Sequence, residues 1–140
     1  MSGMPERVIH HVDIRVSDFD ASRRFYEAVL EPLGFRVTSD RPDPNGSREA
    51  SFGGDGLDQF AIHEPSSAPG QDTVTRGAHI AFQASGAAAV DAFHAAALAI
   101  GAESIGEPGL RPQYSGDYYG GFVLDPDGNN VEAVCHLDEG

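Results

Sequence analysis

His11-Val12-Asp13-Ile14-Arg15-Val16-Ser17-Asp18 and His79-Ile80-Ala81-Phe82-Gln83-Ala84-Ser85 are the two stretches that decide the fold. In both, every second residue is apolar, the pattern of a strand with one buried face. Val12, Ile14 and Val16 share one face, and His11, Asp13 and Arg15 the other. Ile80, Phe82 and Ala84 likewise oppose His79, Ala81 and Gln83. An offset of 68 residues superposes the two stretches, and it also places Phe25 on Phe93 and Leu30 on Leu98. The chain is therefore expected to hold an internal duplication.

Working outward, Ser17-Asp18 caps a helix expected from about Asp20 to Leu30, with Phe25, Tyr26, Val29, Leu30 and Leu33 as its apolar stripe. Pro32 and Gly34 end it. Strands are expected at Phe35–Ser39, Arg48–Phe52 and Gln59–His63, with turns at Pro42–Gly46 and Gly53–Gly56. The second copy repeats the order. A strand at Ala78–Ala84 precedes an Ala-rich helix at Ala87–Ile100 that buries Val90, Phe93, Ala97 and Leu98. A strand near Glu103–Ile105, a Gly/Pro/Tyr loop from Gly106 to Asp117, and strands at Tyr119–Leu124 and Asn130–His136 follow. Residues 1–140 are thus read as one domain, with module one at about 7–64, a linker at 65–76 and module two at about 77–137.

Charge narrows the chemistry. Nine basic residues, all Arg, face 22 acidic ones, for a net charge of −13. With no Lys there is no Schiff-base lysine and no P-loop lysine. So acidic a chain repels nucleic acid and anionic membrane surfaces, and neither is expected as a partner. Cys135 stands alone, so no internal disulfide forms. Met1 to Arg7 lacks a signal-type apolar run, and the expected location is cytoplasmic.

If both copies curl around a common axis, the faces opposite the branched residues line a cavity, and His11 and His79 approach each other by pseudo-symmetry. On the last strand Val131, Ala133 and Cys135 suit the helix side, which turns Glu132, Val134 and His136 inward. An unpaired buried carboxylate is costly, so Glu132 needs a partner. Two His and one carboxylate make a metal site with open positions. The copy-one counterpart of Glu132 is most simply Ala61; His63 or Gln59 takes that place only if the register slips by two, so three or four protein ligands remain open. Singly, a His at a strand start is more often a surface residue. His10, His94 and His136 are read as structural or surface groups, and Tyr26 as core.

These residues carry a resemblance. The run from His11 to Asp18, then Ser22-Arg23-Arg24-Phe25-Tyr26 and Leu33-Gly34-Phe35, resembles the opening of the vicinal oxygen chelate superfamily, the glyoxalase I, bleomycin-resistance and extradiol dioxygenase group. Gly77 to Phe82 and Phe122-Val123-Leu124-Asp125-Pro126-Asp127-Gly128-Asn129-Asn130-Val131-Glu132 resemble its second half. Gly109 to Tyr114, Asp117-Tyr118-Tyr119 and the ending Glu132 to His136 resemble a bacterial glyoxalase-like subgroup. The resemblance implies an α+β fold, two βαβββ modules forming a half-open barrel, and a homodimer. It also implies one divalent metal ion (Fe, Zn, Mn, Ni or Co) on His11, His79 and Glu132. Glyoxalase-type members carry a fourth ligand where this chain most simply has Ala61, a departure that argues against glyoxalase I activity itself. The two-His-one-Glu set of extradiol enzymes is kept instead, and Tyr114, Tyr118 or His63 are the candidates for their acid/base groups.

The leading expectation is a metal-dependent enzyme acting on a small oxygen-chelating substrate, by lyase, isomerase or dioxygenase chemistry. Catalytic candidates are Tyr114 and His63; substrate-binding candidates are Arg111, Tyr118 and Asp13, with Arg111 suited to a carboxylate. The alternatives are a non-catalytic binder of small molecules or cationic drugs, in the manner of bleomycin-resistance proteins, and a domain with a vestigial site. Large anionic substrates such as CoA thioesters are disfavoured by the charge.

Overall fold

The alternating stretches fold as strands. The computed structural model describes residues 8–42 and 47–137. Its elements are β1 (Val12–Arg15), α1 (Phe19–Leu30), β2 (Arg36–Pro42), β3 (Arg48–Gly53), β4 (Phe60–His63), β5 (His79–Gln83), α2 (Ala87–Ala99), β6 (Ser104–Leu110), β7 (Tyr118–Leu124) and β8 (Asn130–His136). Each half reads β-α-β-β-β. Two four-stranded sheets result, in the orders β1-β4-β3-β2 and β5-β8-β7-β6. The first strand of each half lies parallel to the fourth, with Val12 opposite Phe60 and His79 opposite Asn130. The other pairs are antiparallel. Parallel neighbours need a long crossover, which the helix provides. The fold is α+β as expected, and neither sheet closes into a barrel: β1 and β5 are left as edges.

Asp18 starts α1 by accepting a hydrogen bond from Ala21 N at 3.1 Å. The helix buries Phe19, Ser22, Phe25, Tyr26, Val29 and Leu30. A 3₁₀ turn at Glu31–Leu33 ends on Gly34, whose φ of 86° only glycine adopts without strain. Two sequence expectations shift in the second half. α2 buries His94 rather than Leu98, which is 46% exposed, and His94 Nε2 meets Ser104 Oγ at 2.7 Å. The Ala-rich helix is apolar nearly all round, so periodicity did not select its face. The expected loop from Gly106 is instead a continuation of β6 as far as Leu110. Pro108 is admitted because β6 is an edge strand, and register shifts on either side of Gly106 absorb the irregularity. The expected turn at Pro42–Gly46 falls largely at 43–46, outside the described residues.

The helices and the branched strand faces share a core that runs through both halves. Phe60 of β4 and Phe82 of β5 meet edge-on at 5.2 Å, and Phe35 lies 6.2 Å from Phe82. The segment at 65–76, expected as a linker, is tied down at its end. Arg15 N donates to Thr75 Oγ1, and Thr75 N donates to Arg15 O. The Asp125–Asn129 hairpin of the second half is clamped to the first: Tyr26 donates to Asp125 Oδ2 at 2.6 Å, and Ser17 binds Asp127 through both its N–H and its hydroxyl. Asn129, fully buried, donates to Thr75 O and accepts from Ala78 N. Tyr26 is therefore core, as expected, and a hydrogen-bond donor as well. Among the described residues no helix is long and apolar enough to cross a membrane.

Candidate metal and substrate site

Strand alternation sets the open face of the second sheet. On β8, Val131, Ala133 and Cys135 are buried against the helices, and Glu132 faces away from them yet is only 1% exposed. Ala81 of β5 pairs with Glu132, which puts His79 two residues along the same face. His79 Nε2 lies 2.8 Å from Glu132 Oε1. From β7, the Tyr118 hydroxyl donates to the other carboxylate oxygen, Oε2. A buried carboxylate is tolerated only with such partners. Gly120 leaves room for the arrangement, since a Cβ there would sit 3.1 Å from Glu132 Oε2 and 3.2 Å from Tyr118 Cε1. Partial burial and the hydrogen bond to Glu132 hold the Tyr118 phenol well above its ordinary range. At neutral pH it is a proton donor in hydrogen bonds and not a base.

Around this pair stand the other sequence candidates of the second half. The Tyr114 ring meets Tyr118 at 4.9 Å, and Tyr118 meets His136 edge-on at 5.6 Å. His136 Nδ1 lies 3.3 Å from Asp117 Oδ1. Arg111 stands over the Phe122 ring, its guanidinium carbon 5.2 Å from the centroid, and Phe122 is 6.0 Å from the His79 ring.

The first half presents its candidates separately. His11 and Asp13 are exposed and share a recess with Glu49, Ser51 and Asp58. His11 Nδ1 approaches His10 Nδ1 at 3.0 Å. His11 and His79 both line one largely apolar groove of about 600 Å³, together with Phe35, Phe52, Phe60 and Phe82. Even so, among the described residues no three His, Cys, Asp or Glu side chains gather closely enough to hold an ion. His63 is buried at the end of β4, opposite Arg15 and Glu49, with Nδ1 3.1 Å from Glu64 O. The registers also settle which residue stands for Glu132 in the first half: Asp13 pairs with Ala61 as Ala81 pairs with Glu132. The place is apolar.

The donor set suits a divalent ion in part. Ligands at about 2.0–2.2 Å from an ion, at right angles, are about 3 Å apart, and His79 Nε2 and Glu132 Oε1 have that spacing. Sequence reasoning found both residues. It read Tyr118 as a substrate contact and missed its bond to Glu132, because the partners are fourteen residues apart and meet only through the β7–β8 register.

Residues 8–133 match the sequence profile of the Glyoxalase/Bleomycin resistance protein/Dioxygenase superfamily. A glyoxalase/bleomycin resistance protein from Albidiferax ferrireducens T118 is similar over 91% of this chain and 98% of its own, at 30% identity and a TM-score of 0.74. The fosfomycin resistance protein FosX from Listeria monocytogenes, solved with Mn(II) and sulfate, shares the fold at 22% identity, over 99% of this chain and 96% of its own, with a TM-score of 0.61. TnmS3, an antibiotic binding protein from Streptomyces sp. CB03234, shares it at 23% identity, over 94% and 97%, with a TM-score of 0.60. No curated protein matches the chain.

Proposed function

Since the chain belongs to the Glyoxalase/Bleomycin resistance protein/Dioxygenase superfamily, we propose that it is a divalent-metal-dependent enzyme acting on a small substrate with two neighbouring oxygens. The reaction class is a lyase or isomerase step, or a dioxygenation. One observation carries the reading: an imidazole nitrogen and a buried carboxylate oxygen, 2.8 Å apart, on an open sheet face. The Mn(II) of FosX, on the same fold, supports it. His79 and Glu132 are two of the ligands, and His11 is the third. Because His11 does not join the pair within one chain, a second copy supplies it. The edge position of β5, and the exposed apolar Val8 and Ile9 beside His11, favour such a homodimer. Fe, Zn, Mn, Ni and Co are all compatible with this donor set.

A divalent ion there supplies Lewis-acid stabilisation of an oxyanion that forms on the substrate. The residues do the rest. Tyr118 holds Glu132 by one oxygen and leaves the other, Oε1, for the site. Tyr114, exposed at the mouth, is the proton donor to the substrate, and Arg111 and Asp13 are binding contacts. His63, buried and turned to Glu64 O, is the second candidate acid/base group.

Metal analysis of the purified protein and of its H79A variant tests the reading. Stoichiometric uptake that H79A abolishes supports it. No uptake, with ligand binding untouched in H79A, overturns it. Light scattering reads the partner: a molar mass of one chain overturns the shared site. A second reading, a binder of cationic drugs, is favoured by the −13 charge and the apolar groove. Tight binding of a cationic glycopeptide that H79A leaves unchanged selects it.

A further inference from the structure

Arg23, Arg48 and Arg76 each face a carboxylate. Arg111, like Arg15, Arg24 and Arg36, lacks a carboxylate partner among the described residues, although acids outnumber bases 22 to 9. Its guanidinium is fixed instead by backbone carbonyls, Nη2 to Glu107 O at 2.6 Å and Nη1 to Leu110 O at 3.4 Å, and by the Phe122 ring below it. Carbonyls orient a guanidinium without neutralising it, and three of its five N–H donors remain. Two glycines clear the space. A Cβ at Gly106 would stand 3.2 Å from Nη2 and 2.8 Å from Phe122 Cδ1, and one at Gly109 would stand 3.2 Å from Nη1.

Arg111 lines a recess of about 240 Å³ with Ile105, Gly106, Tyr114, Phe122 and Asn130. Asn130 brings the second observation: its Oδ1 is buried and accepts no hydrogen bond. An unsatisfied buried acceptor is costly, and a ligand N–H or O–H that reaches it relieves that cost. The recess adjoins the His79–Glu132 pair. Asn130 is in register with His79, Phe122 is in register with Glu132, and Phe122 lies beside the His79 ring.

We propose that this recess is the specificity subsite of the enzyme and seats the carboxylate of a small monocarboxylic acid that carries a hydroxyl or N–H next to the carboxyl group. The carboxylate pairs with Arg111, the adjacent donor satisfies Asn130 Oδ1, and the carbon between them lies on Phe122. A single guanidinium in so acidic a chain matches one negative charge; a phosphate dianion is undercompensated. The assignment deepens the proposed enzyme reading and rests on its site.

The test is an NMR titration of the full metal-free chain, in EDTA, with N-acetylglycine. It is compared with uncharged N-acetylglycinamide, with butyrate, which lacks the donor, and with inorganic phosphate. Expected are shifts at the Gly106, Arg111 and Asn130 amides, and binding at least tenfold tighter than that of N-acetylglycinamide or phosphate. R111Q loses tenfold or more, R111K less than R111Q, and N130L removes the preference over butyrate while butyrate still binds. Phosphate binding tighter than N-acetylglycine, or R111Q and R111K both binding like the parent, overturns the subsite. E132Q separates the two readings: N-acetylglycine binding that persists in E132Q supports the subsite even where metal uptake fails, and shifts confined to residues outside the recess sink the subsite while metal uptake stands.

Discussion

Glu132 concentrates the chemistry of the site in one side chain, and its neighbours decide how it is used. Tyr118 donates to one oxygen and His79 meets the other. Partners of this kind orient a ligating carboxylate, and their loss typically weakens metal binding about 10–100-fold. Y118F, which keeps the ring between Tyr114 and His136, is expected to lose affinity by that factor in competition titrations with a metal indicator; parent-like affinity would show Tyr118 idle. Tyr26 gives a second prediction. Burial, then the Asp125 carboxylate, raise its phenol well above the ordinary 10.0. The folded chain keeps this proton where the unfolded chain loses it. The contribution is therefore whole below pH 10 and declines as pH rises further. Y26F is expected to cost about 1.5–3 kcal/mol at pH 7 by loss of a hydrogen bond to a carboxylate. Its denaturant midpoint is expected to fall less steeply above pH 10 than the parent's. At this scale the sequence shows Glu132, because Val131, Ala133 and Cys135 frame it. It does not show the bonds of Tyr118 or Tyr26, whose partners lie 14 and 99 residues away.

Strands and helices were legible where periodicity is clean. The bounds of β8, Asn130–His136, match those read from the sequence, and α1 starts one residue early, at Phe19 behind its Asp18 cap. The expectation failed where local chemistry and tertiary pairing conflict. Gly106, Pro108 and Gly109 read as loop, yet β7 recruits them as an edge strand. In α2, Ala on every face hid which residues turn inward. Gly120 is the element-scale test of the site. It sits inside β7, where glycine weakens a strand, so its presence asks for a steric reason. G120A places a methyl group against Glu132 and Tyr118. Although alanine is the better strand former, G120A is expected to lower both metal affinity and thermal stability. A stabilised G120A with intact metal binding would remove the steric account.

Over the whole chain, the duplication was visible in the sequence but the joining of its halves was not. Asp125-Pro126-Asp127-Gly128 forms the turn between β7 and β8, yet Asp125 and Asp127 are buried acceptors for Tyr26 and Ser17 of the other half. No spacing rule announces bonds across 99 or 110 residues. His11 was legible as a candidate, whereas its separation from His79 and Glu132 follows from how two sheets sit on one core. N129A removes bonds to Thr75 and Ala78 at once. A loss of more than about 2 kcal/mol is expected, with both halves unfolding in a single transition by circular dichroism and by tyrosine fluorescence. Two separated transitions would show that the core does not couple the halves.

The parallel pairing of β1 with β4 and of β5 with β8 also governs how the chain finds its structure. Val12 must wait for Phe60, and His79 for Asn130, before either edge can dock. The contacts that finish each sheet are thus its most distant in sequence, and loops must close before those contacts reward them. Refolding belongs with the slow, β-rich class, on the millisecond-to-second scale. The sheet face that carries His79 and Glu132, which lies across the last of these pairings, is assembled at the end of the search.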